Sequence, residues 1–313
     1  MSTKTRFPAD RGLTARMLTT VFLLGLLYAL FVTVLFLVGL KLVFILVIAF
    51  VLLFVQYFYS DRIALYSMKG KIVTREQAPK LHAVVDRLCA LANMPKPQVA
   101  IADVDMPNAF ATGRDQKHAV VCVTTGILRR LDESELEAVL AHELSHVAHR
   151  DVAVMTIASF LGILAGLLTR VLAYAGLFGG FGGGGNRSRG GGGGGGQLAL
   201  LELGMLAFSA LIYAISFVLI RTLSRYRELA ADRSGAILIG QPRLLAQALV
   251  KVSGEMSRVP TRDLRAAEHF NAFFFAPAFA KGVSLSSLFS THPTLERRLA
   301  QLTELEAQMG RAA

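Results

Sequence analysis

Residues 132–151 read DESELEAVLAHELSHVAHRD, and this stretch decides the architecture more than any other part of the chain. Asp132 lies three residues before Glu135, which predicts a capping box at the start of a helix. Apolar residues then recur at helical spacing, so the segment from His142 to His146 falls on one predicted helix. That segment, HELSH, is an HExxH motif.

The spacing of this motif suits a metal site. Side chains four residues apart leave a helix from the same face, so the imidazoles of His142 and His146 can reach one zinc ion. Glu143 lies beside the first histidine and can take a proton from water that attacks a peptide carbonyl. The competing interpretation is a helix whose histidines are ordinary surface polar groups.

A catalytic zinc needs a third protein ligand and one open position. Glu228 and Asp232 are again four apart in a predicted helix, so one can bind the metal while the other holds a ligand histidine. Alternatively, they form an exposed acidic pair that contacts neighbouring arginines. His149 lies about 10 Å of helix rise beyond His142 and cannot share its metal. The remaining histidines considered are predicted to be surface or loop residues: His82, His118 and His269.

The composition excludes an ordinary soluble globule. Of 313 residues, 53% are hydrophobic and only 18% are charged, with a mean hydropathy of +0.50. The net charge is +11, but the basic residues flank long apolar runs, which favours a membrane protein and gives no support to nucleic-acid binding. The two cysteines, Cys89 and Cys122, cannot form a disulfide scaffold, which indicates a reducing compartment.

Four apolar runs are predicted to span the bilayer, and the lysines and arginines beside them place both termini in the cytoplasm. The predicted organisation is a cytoplasmic N-terminus 1–16, a transmembrane hairpin 17–60, a cytoplasmic part 61–151, a third span 152–178, a glycine-rich extracytoplasmic linker 179–196, a fourth span 197–220 and a cytoplasmic part 221–313. Whether the third and fourth helices cross fully is left open.

Spans three and four return the chain to the side that it left, so the HExxH helix and Glu228 share one compartment. A predicted helix at 74–94 and short β-type runs at 95–103, 108–112 and 119–123 indicate a small sheet before that helix. The predicted fold class is an α-helical multi-pass membrane protein with four transmembrane helices and a cytoplasmic α+β, zincin-like (gluzincin) metalloprotease domain.

Four motifs occur in a family order: NAFATG at 108–113, TTGILRRLDESELEAVLAHELSHVAHRD at 124–151, ELAADRSGA at 228–236 and STHPTLERR at 290–298. Over roughly residues 10–308 the chain resembles the HtpX and CAAX-prenyl-endopeptidase group of integral-membrane zinc metalloproteases. The resemblance implies one zinc ion per chain, bound by His142, His146 and Glu228, with Glu143 as general base. It places Asp232 behind a ligand histidine.

Two further assignments follow from the resemblance. The strand Asn108, Ala109, Phe110, Ala111 and Thr112 matches one that pairs with an extended substrate backbone, although it also fits an ordinary hairpin strand. His292 and Arg298 match a C-terminal HPxxxxR pattern that would stabilise the tetrahedral oxyanion, with the adjacent Arg297 as the alternative arginine. The alternative is that His292-Pro293 starts a helix that runs to about Gln308.

The implied function is that of a zinc metalloendopeptidase of the bacterial inner membrane. It would cleave cytoplasmic regions of misfolded or damaged membrane proteins in quality control and stress response, with the lipid bilayer and possible membrane AAA proteases as its partners. The alternatives are a processing protease for one defined membrane or lipidated substrate, and a non-catalytic zinc-binding membrane protein. The aromatic residues 270–279 fit core or loop packing, or a hydrophobic flap near the bilayer.

Overall fold

A computed structural model describes residues 11–37, 42–151, 154–155, 158–160, 162–166, 168–169, 194–256 and 292–312. The described residues form two compact units. One contains residues 11–18, 54–155 and 221–312, and the other contains residues 19–53 and 158–220 with the gaps just given. Most of the glycine-rich linker, residues 179–193, and the aromatic stretch 270–279 lie outside the described residues.

The first unit combines a small sheet with helices. Among the described residues, the α-helices with defined bounds are α1 Arg11–Leu37, α2 Leu42–Ser67, α3 Pro79–Ala92, α4 Thr125–Arg130, α5 Glu133–Ala148, α6 Gly194–Ile239, α7 Pro242–Met256 and α8 Leu295–Ala312. The described strands are β1 Gly70–Ile72, β2 Gln98–Ala102, β3 Ala109–Thr112 and β4 Val120–Thr124. The three predicted strands are confirmed. The sequence analysis missed β1, because three residues are too few to show alternation.

The four strands form one mixed sheet in the order β1-β2-β4-β3. Strand β2 pairs parallel with β4, whereas β1 and β3 are antiparallel to their neighbours. Strand β3 therefore lies at an edge, where its second side pairs with no other described strand. An edge strand offers unpaired main-chain groups to another extended chain.

Both faces of the sheet are covered. Val121 and Val123 of β4 point into the main core, which is built with α3, α5, α7 and α8. The alternate residues Val120 and Cys122 point to the other face, where they pack with Met68, just beyond α2. This two-sided burial explains why β4 reads as a continuous apolar run, AVVCV, without polar alternation.

Helix α3 is shorter than the predicted helix 74–94. Pro79 occupies its first turn, and Asn93 ends it in the left-handed conformation with φ of 51°. Leu91 continues the apolar spacing of this helix in the sequence but is exposed near its C-terminus, so the prediction of a buried apolar face does not extend to it. The prediction that His82 is a surface or loop residue is also wrong: it lies in α3 and is buried, with Nε2 3.1 Å from the carbonyl oxygen of Val73.

The second unit is helical and shows the packing of membrane helices. The described residues between 158 and 169 are helical and approach α6 at small residues, where the Thr169 hydroxyl donates to the Ser209 hydroxyl at 3.1 Å. Phe31 of α1 is buried and stacks on Phe208 of α6. Large apolar side chains such as Phe22 remain exposed.

Two described segments are long and apolar enough to cross a bilayer, Thr14–Leu37 and Leu203–Ile239. The fourth predicted span is part of a longer helix than expected. Helix α6 begins at Gly194, inside the predicted linker, and continues without a break to Ile239. One helix thus carries both an apolar segment and the acidic pair at 228 and 232.

Candidate active site

Helix α5 begins as predicted. The Asp132 side chain accepts from the Glu135 amide at 2.8 Å, and the Glu135 carboxylate accepts from the Asp132 amide at 3.1 Å, which confirms the capping box. The helix is enclosed by the core, so His142 and Glu143 are buried. The interpretation of the HExxH histidines as surface polar groups is therefore wrong.

Helix α6 approaches α5 closely at a glycine. A Cβ atom on Gly235 would lie 2.8 Å from the His142 amide nitrogen and 2.9 Å from its Cα. Any side chain at position 235 would force the backbones of α5 and α6 apart. Gly235 therefore allows the turn of α6 that carries Glu228 and Asp232 to lie against the HExxH turn of α5.

We expect Gly235→Ala to destabilise the folded chain by about 1–3 kcal/mol, because the added methyl group meets backbone atoms that cannot rotate away. The variant should also bind metal more weakly. The matched control is Gly254→Ala in α7, where an added Cβ meets no atom of the described residues within 4 Å, so the change should be neutral or slightly stabilising. Thermal unfolding of both variants in detergent measures the effect; equal midpoints would contradict it.

Three side chains converge on one point between α5 and α6. The Nε2 atoms of His142 and His146 are 3.2 Å apart, and the Glu228 carboxylate oxygens lie 3.7 Å from the first and 3.4 Å from the second. Metal–ligand bonds of about 2.0–2.1 Å in tetrahedral geometry separate ligand atoms by about 3.4 Å. The geometry of these three residues fits a single divalent ion, and they form a group able to hold one.

A carboxylate lies behind each histidine. Nδ1 of His142 is 2.9 Å from Asp232 Oδ1, and Nδ1 of His146 is 2.7 Å from Asp151 Oδ2. A carboxylate accepts a hydrogen bond from a ring N–H and so favours the proton on Nδ1. The Nε2 lone pair of each ring is then directed at the common point. The position of Asp232 behind a ligand histidine was predicted from the resemblance. No such role was predicted for Asp151, although it lies only five residues after His146.

Glu143 is held between the helix and the edge strand. The amide of Ala111 in β3 donates to Glu143 Oε2 at 3.0 Å. Burial raises the pKa of the Glu143 carboxyl to about 8, because the charged form loses water. A carboxyl with a raised pKa is a stronger base once ionised, which suits proton transfer near neutral pH.

The C-terminal motif also reaches the site. His292 Nδ1 lies 3.0 Å from Glu228 Oε2. Arg298 is buried and donates through Nε and Nη2 to the two oxygens of Asp232 at 2.7 and 2.6 Å. Arg297 is exposed, so Arg298 is the arginine beside the predicted metal ligands. His292 precedes α8 and is not part of it, whereas α8 itself continues past the predicted end to Ala312.

Only some of the other residues singled out from the sequence lie beside Glu143 or the HExxH histidines. Within the predicted substrate strand, Ala111 contacts Glu143, whereas the Asn108 amide donates to the Thr124 hydroxyl at 2.9 Å. Ala109, Phe110 and Thr112 are buried in the sheet. Nδ1 of His149 lies 2.8 Å from the Ser145 carbonyl, and His118 pairs with Asp115 on the surface. His269 lies outside the described residues.

Comparison with known proteins agrees with this geometry. The model of peptidase family M48 matches residues 75–306. The chain is 54% identical over 309 residues to protease HtpX homolog 1 of Streptomyces coelicolor, covering 99% of this chain and 98% of the relative. It is 53% identical over 301 residues to the protease HtpX homolog of Moorella thermoacetica, covering 96% and 97%.

The crystal structure of S. mikatae Ste24p shares the fold, with a TM-score of 0.51 and 17% sequence identity. That match covers 94% of this chain and 66% of the Ste24p chain, so this chain spans just under two thirds of that protein. The family match covers most of the chain and includes both helices that carry the His-His-Glu group. The chain therefore belongs to peptidase family M48 and is a membrane metalloprotease.

Proposed function

We propose that the chain is a zinc endopeptidase of the bacterial inner membrane that cleaves cytoplasmic regions of misfolded or damaged membrane proteins. The observation that carries the proposal is the unbroken helix α6. Its apolar segment from Leu203 suits a bilayer, and two turns beyond Ile220 it presents Glu228 to the two histidines of the HExxH motif. A site built this way works beside a membrane surface.

The proposed topology has four spans and cytoplasmic termini. It rests on the apolar runs and on the uneven distribution of the lysines and arginines that flank them. Many of these residues lie on the proposed cytoplasmic side and few lie on the opposite side. The flanking basic residues on the proposed cytoplasmic side are Lys4, Arg6, Arg11, Arg16, Arg62, Lys69, Lys71, Arg75, Arg150, Arg221, Arg225, Arg227 and Arg233. Those on the opposite side are Lys41, Arg187 and Arg189.

In the proposed mechanism, His142, His146 and Glu228 would hold the zinc ion. The bound ion would supply Lewis acidity towards the scissile carbonyl and the attacking water. The Glu143 carboxylate, oriented by the Ala111 amide, accepts a proton from the attacking water and returns it to the departing amine. Asp232 and Arg298 hold the His142 ring in place, and His292, which lies beside Glu228, is the proposed hydrogen-bond donor to the developing oxyanion.

The edge of β3 that pairs with no other described strand suits an unfolded substrate. An extended peptide that adds to this edge gains main-chain hydrogen bonds that depend little on side chains, which favours broad specificity for unstructured segments. Ala111 on this strand contacts the general base, so a peptide bound here runs past Glu143. A folded substrate cannot offer its main chain in this way.

The test uses two single-span membrane proteins that carry the same unstructured segment on opposite sides of the membrane. Both substrates are reconstituted with the zinc-loaded chain in liposomes of known orientation, and cleavage is followed by gel electrophoresis. We expect cleavage of the segment on the side of the enzyme termini, and similar cleavage after its sequence is scrambled. Cleavage on the opposite side would overturn the orientation, and cleavage of one sequence alone would favour a processing protease.

A further inference from the structure

The two histidines of the HExxH motif have matching surroundings. Behind His142, Asp232 Oδ1 lies 2.9 Å from Nδ1 of the ring and accepts a hydrogen bond from the guanidinium of Arg298. Behind His146, Asp151 lies 2.7 Å from Nδ1, and Nη2 of Arg227 lies 3.0 Å from the same carboxylate. Each ring is thus followed by an aspartate and an arginine. We refer to Arg298, Asp232 and His142 as the first triplet and to Arg227, Asp151 and His146 as the second.

The backbone makes a specific turn to complete the second triplet. Helix α5 ends at Ala148, and Arg150 adopts a left-handed conformation with φ of 56°, which is uncommon for a residue with a side chain. This turn brings Asp151 back against the His146 ring. A strained backbone conformation persists where the surrounding contacts hold it, and such positions cluster at functional sites.

Burial makes the pairing consequential. Asp151 is 3% exposed and Arg227 is 6% exposed, so neither group can replace its partner with bulk water. Arg227 also directly precedes Glu228 on α6. The second triplet therefore connects the end of α5 to the turn of α6 that carries the third predicted metal ligand.

We propose that Asp151 and Arg227 are positioning residues for the metal site. They hold the His146 ring in the same way that Asp232 and Arg298 hold the His142 ring. Asp151 fixes the orientation of the His146 ring and keeps the proton on Nδ1, so that Nε2 faces the ion. Arg227 holds Asp151 in that geometry. The proposal rests on the proposed function in that it takes His142, His146 and Glu228 as the metal ligands.

The test measures zinc affinity of the purified full chain by competition with a chromophoric chelator, independently of proteolysis. We expect Asp151→Asn to weaken zinc binding by about 10–100-fold, as loss of a carboxylate behind a ligand histidine does. Asp232→Asn should give a loss of similar size. Arg227→Gln should give a smaller loss, and combined with Asp151→Asn it should add little, because both changes disable one triplet. The matched control is Asp105→Asn, an arginine-paired aspartate on the surface.

Each outcome decides a separate question. Zinc binding by Asp151→Asn within twofold of the unmodified chain would overturn the positioning role while leaving the proposed enzyme intact. Failure of the unmodified chain to bind zinc would instead overturn the proposed function. If Asp151→Asn does not fold, Arg227→Gln decides: native affinity in that folded variant would overturn the proposal. Multiplicative losses in the double variant would also overturn it, since they would show independent roles.

Discussion

Replacing Glu143 by Gln is expected to lower the rate of peptide hydrolysis by about 10²–10⁴-fold while zinc stays bound. The amide keeps the volume of the side chain but cannot accept a proton from water. Glu143 is not among the three residues whose atoms converge on the predicted metal position, so its loss should leave zinc affinity within a few fold. Hydrolysis of an unfolded fluorogenic protein and the zinc content of the same sample are the two measurements.

Glu137→Gln is the matched control for this change. Glu137 lies on the same helix but pairs with Arg87 away from the histidines. Its replacement by Gln should leave hydrolysis within about twofold, since it removes one partly exposed ion pair. Equal hydrolysis by Glu143→Gln and the unmodified chain, with zinc in both, would contradict the role of general base and favour a non-catalytic zinc protein.

The sequence predicted the parts of the site that depend on local spacing. His142, Glu143 and His146 follow one another on a helix whose start is marked by Asp132 and Glu135, so their shared face needs no knowledge of the fold. The same holds for the pair at 228 and 232. The compartment shared by these two helices followed from counting apolar runs.

What escaped prediction depends on turns and long-range contacts. Asp151 reaches His146 through the left-handed turn at Arg150, which no periodicity reveals. The C-terminal motif pointed to Arg298, but only the fold shows that both of its donating nitrogens bind Asp232. Strand β1 was missed because its three residues can be recognised as a strand only from their pairing with β2.

The interior of the first unit explains why these long-range contacts are precise. Gly235 brings the two ligand-bearing helices into backbone contact, and the buried carboxylates at 151 and 232 are each held by a guanidinium. Buried ion pairs of this kind are costly to assemble but strongly resist removal of one partner. The positions of the predicted metal ligands are therefore set by packing and charge together.

Glu228→Gln makes the same chemical change as Glu143→Gln, but we expect it to weaken zinc binding and to impair hydrolysis only through that loss. A carboxylate that faces both imidazoles at 3.4–3.7 Å becomes a neutral amide, which is a poor zinc ligand. Zinc affinity should fall by at least about 100-fold, more than for loss of a group that lies behind a ligand. Hydrolysis should be lost at low zinc, and we expect the same loss in the unmodified chain after treatment with a chelator.

The two Gln variants together separate binding from chemistry. Glu143→Gln should retain zinc and stay inactive at any zinc concentration, because its missing group moves a proton. Glu228→Gln should recover part of its activity as zinc is raised, because its base is intact and only occupancy is low. Glu296→Gln, an exposed glutamate at the start of α8, is the control and should change neither property. Zinc affinity in Glu228→Gln equal to that in Glu143→Gln would show that the third ligand is another residue, and His292, 3.0 Å from the Glu228 carboxylate, would be the first to replace.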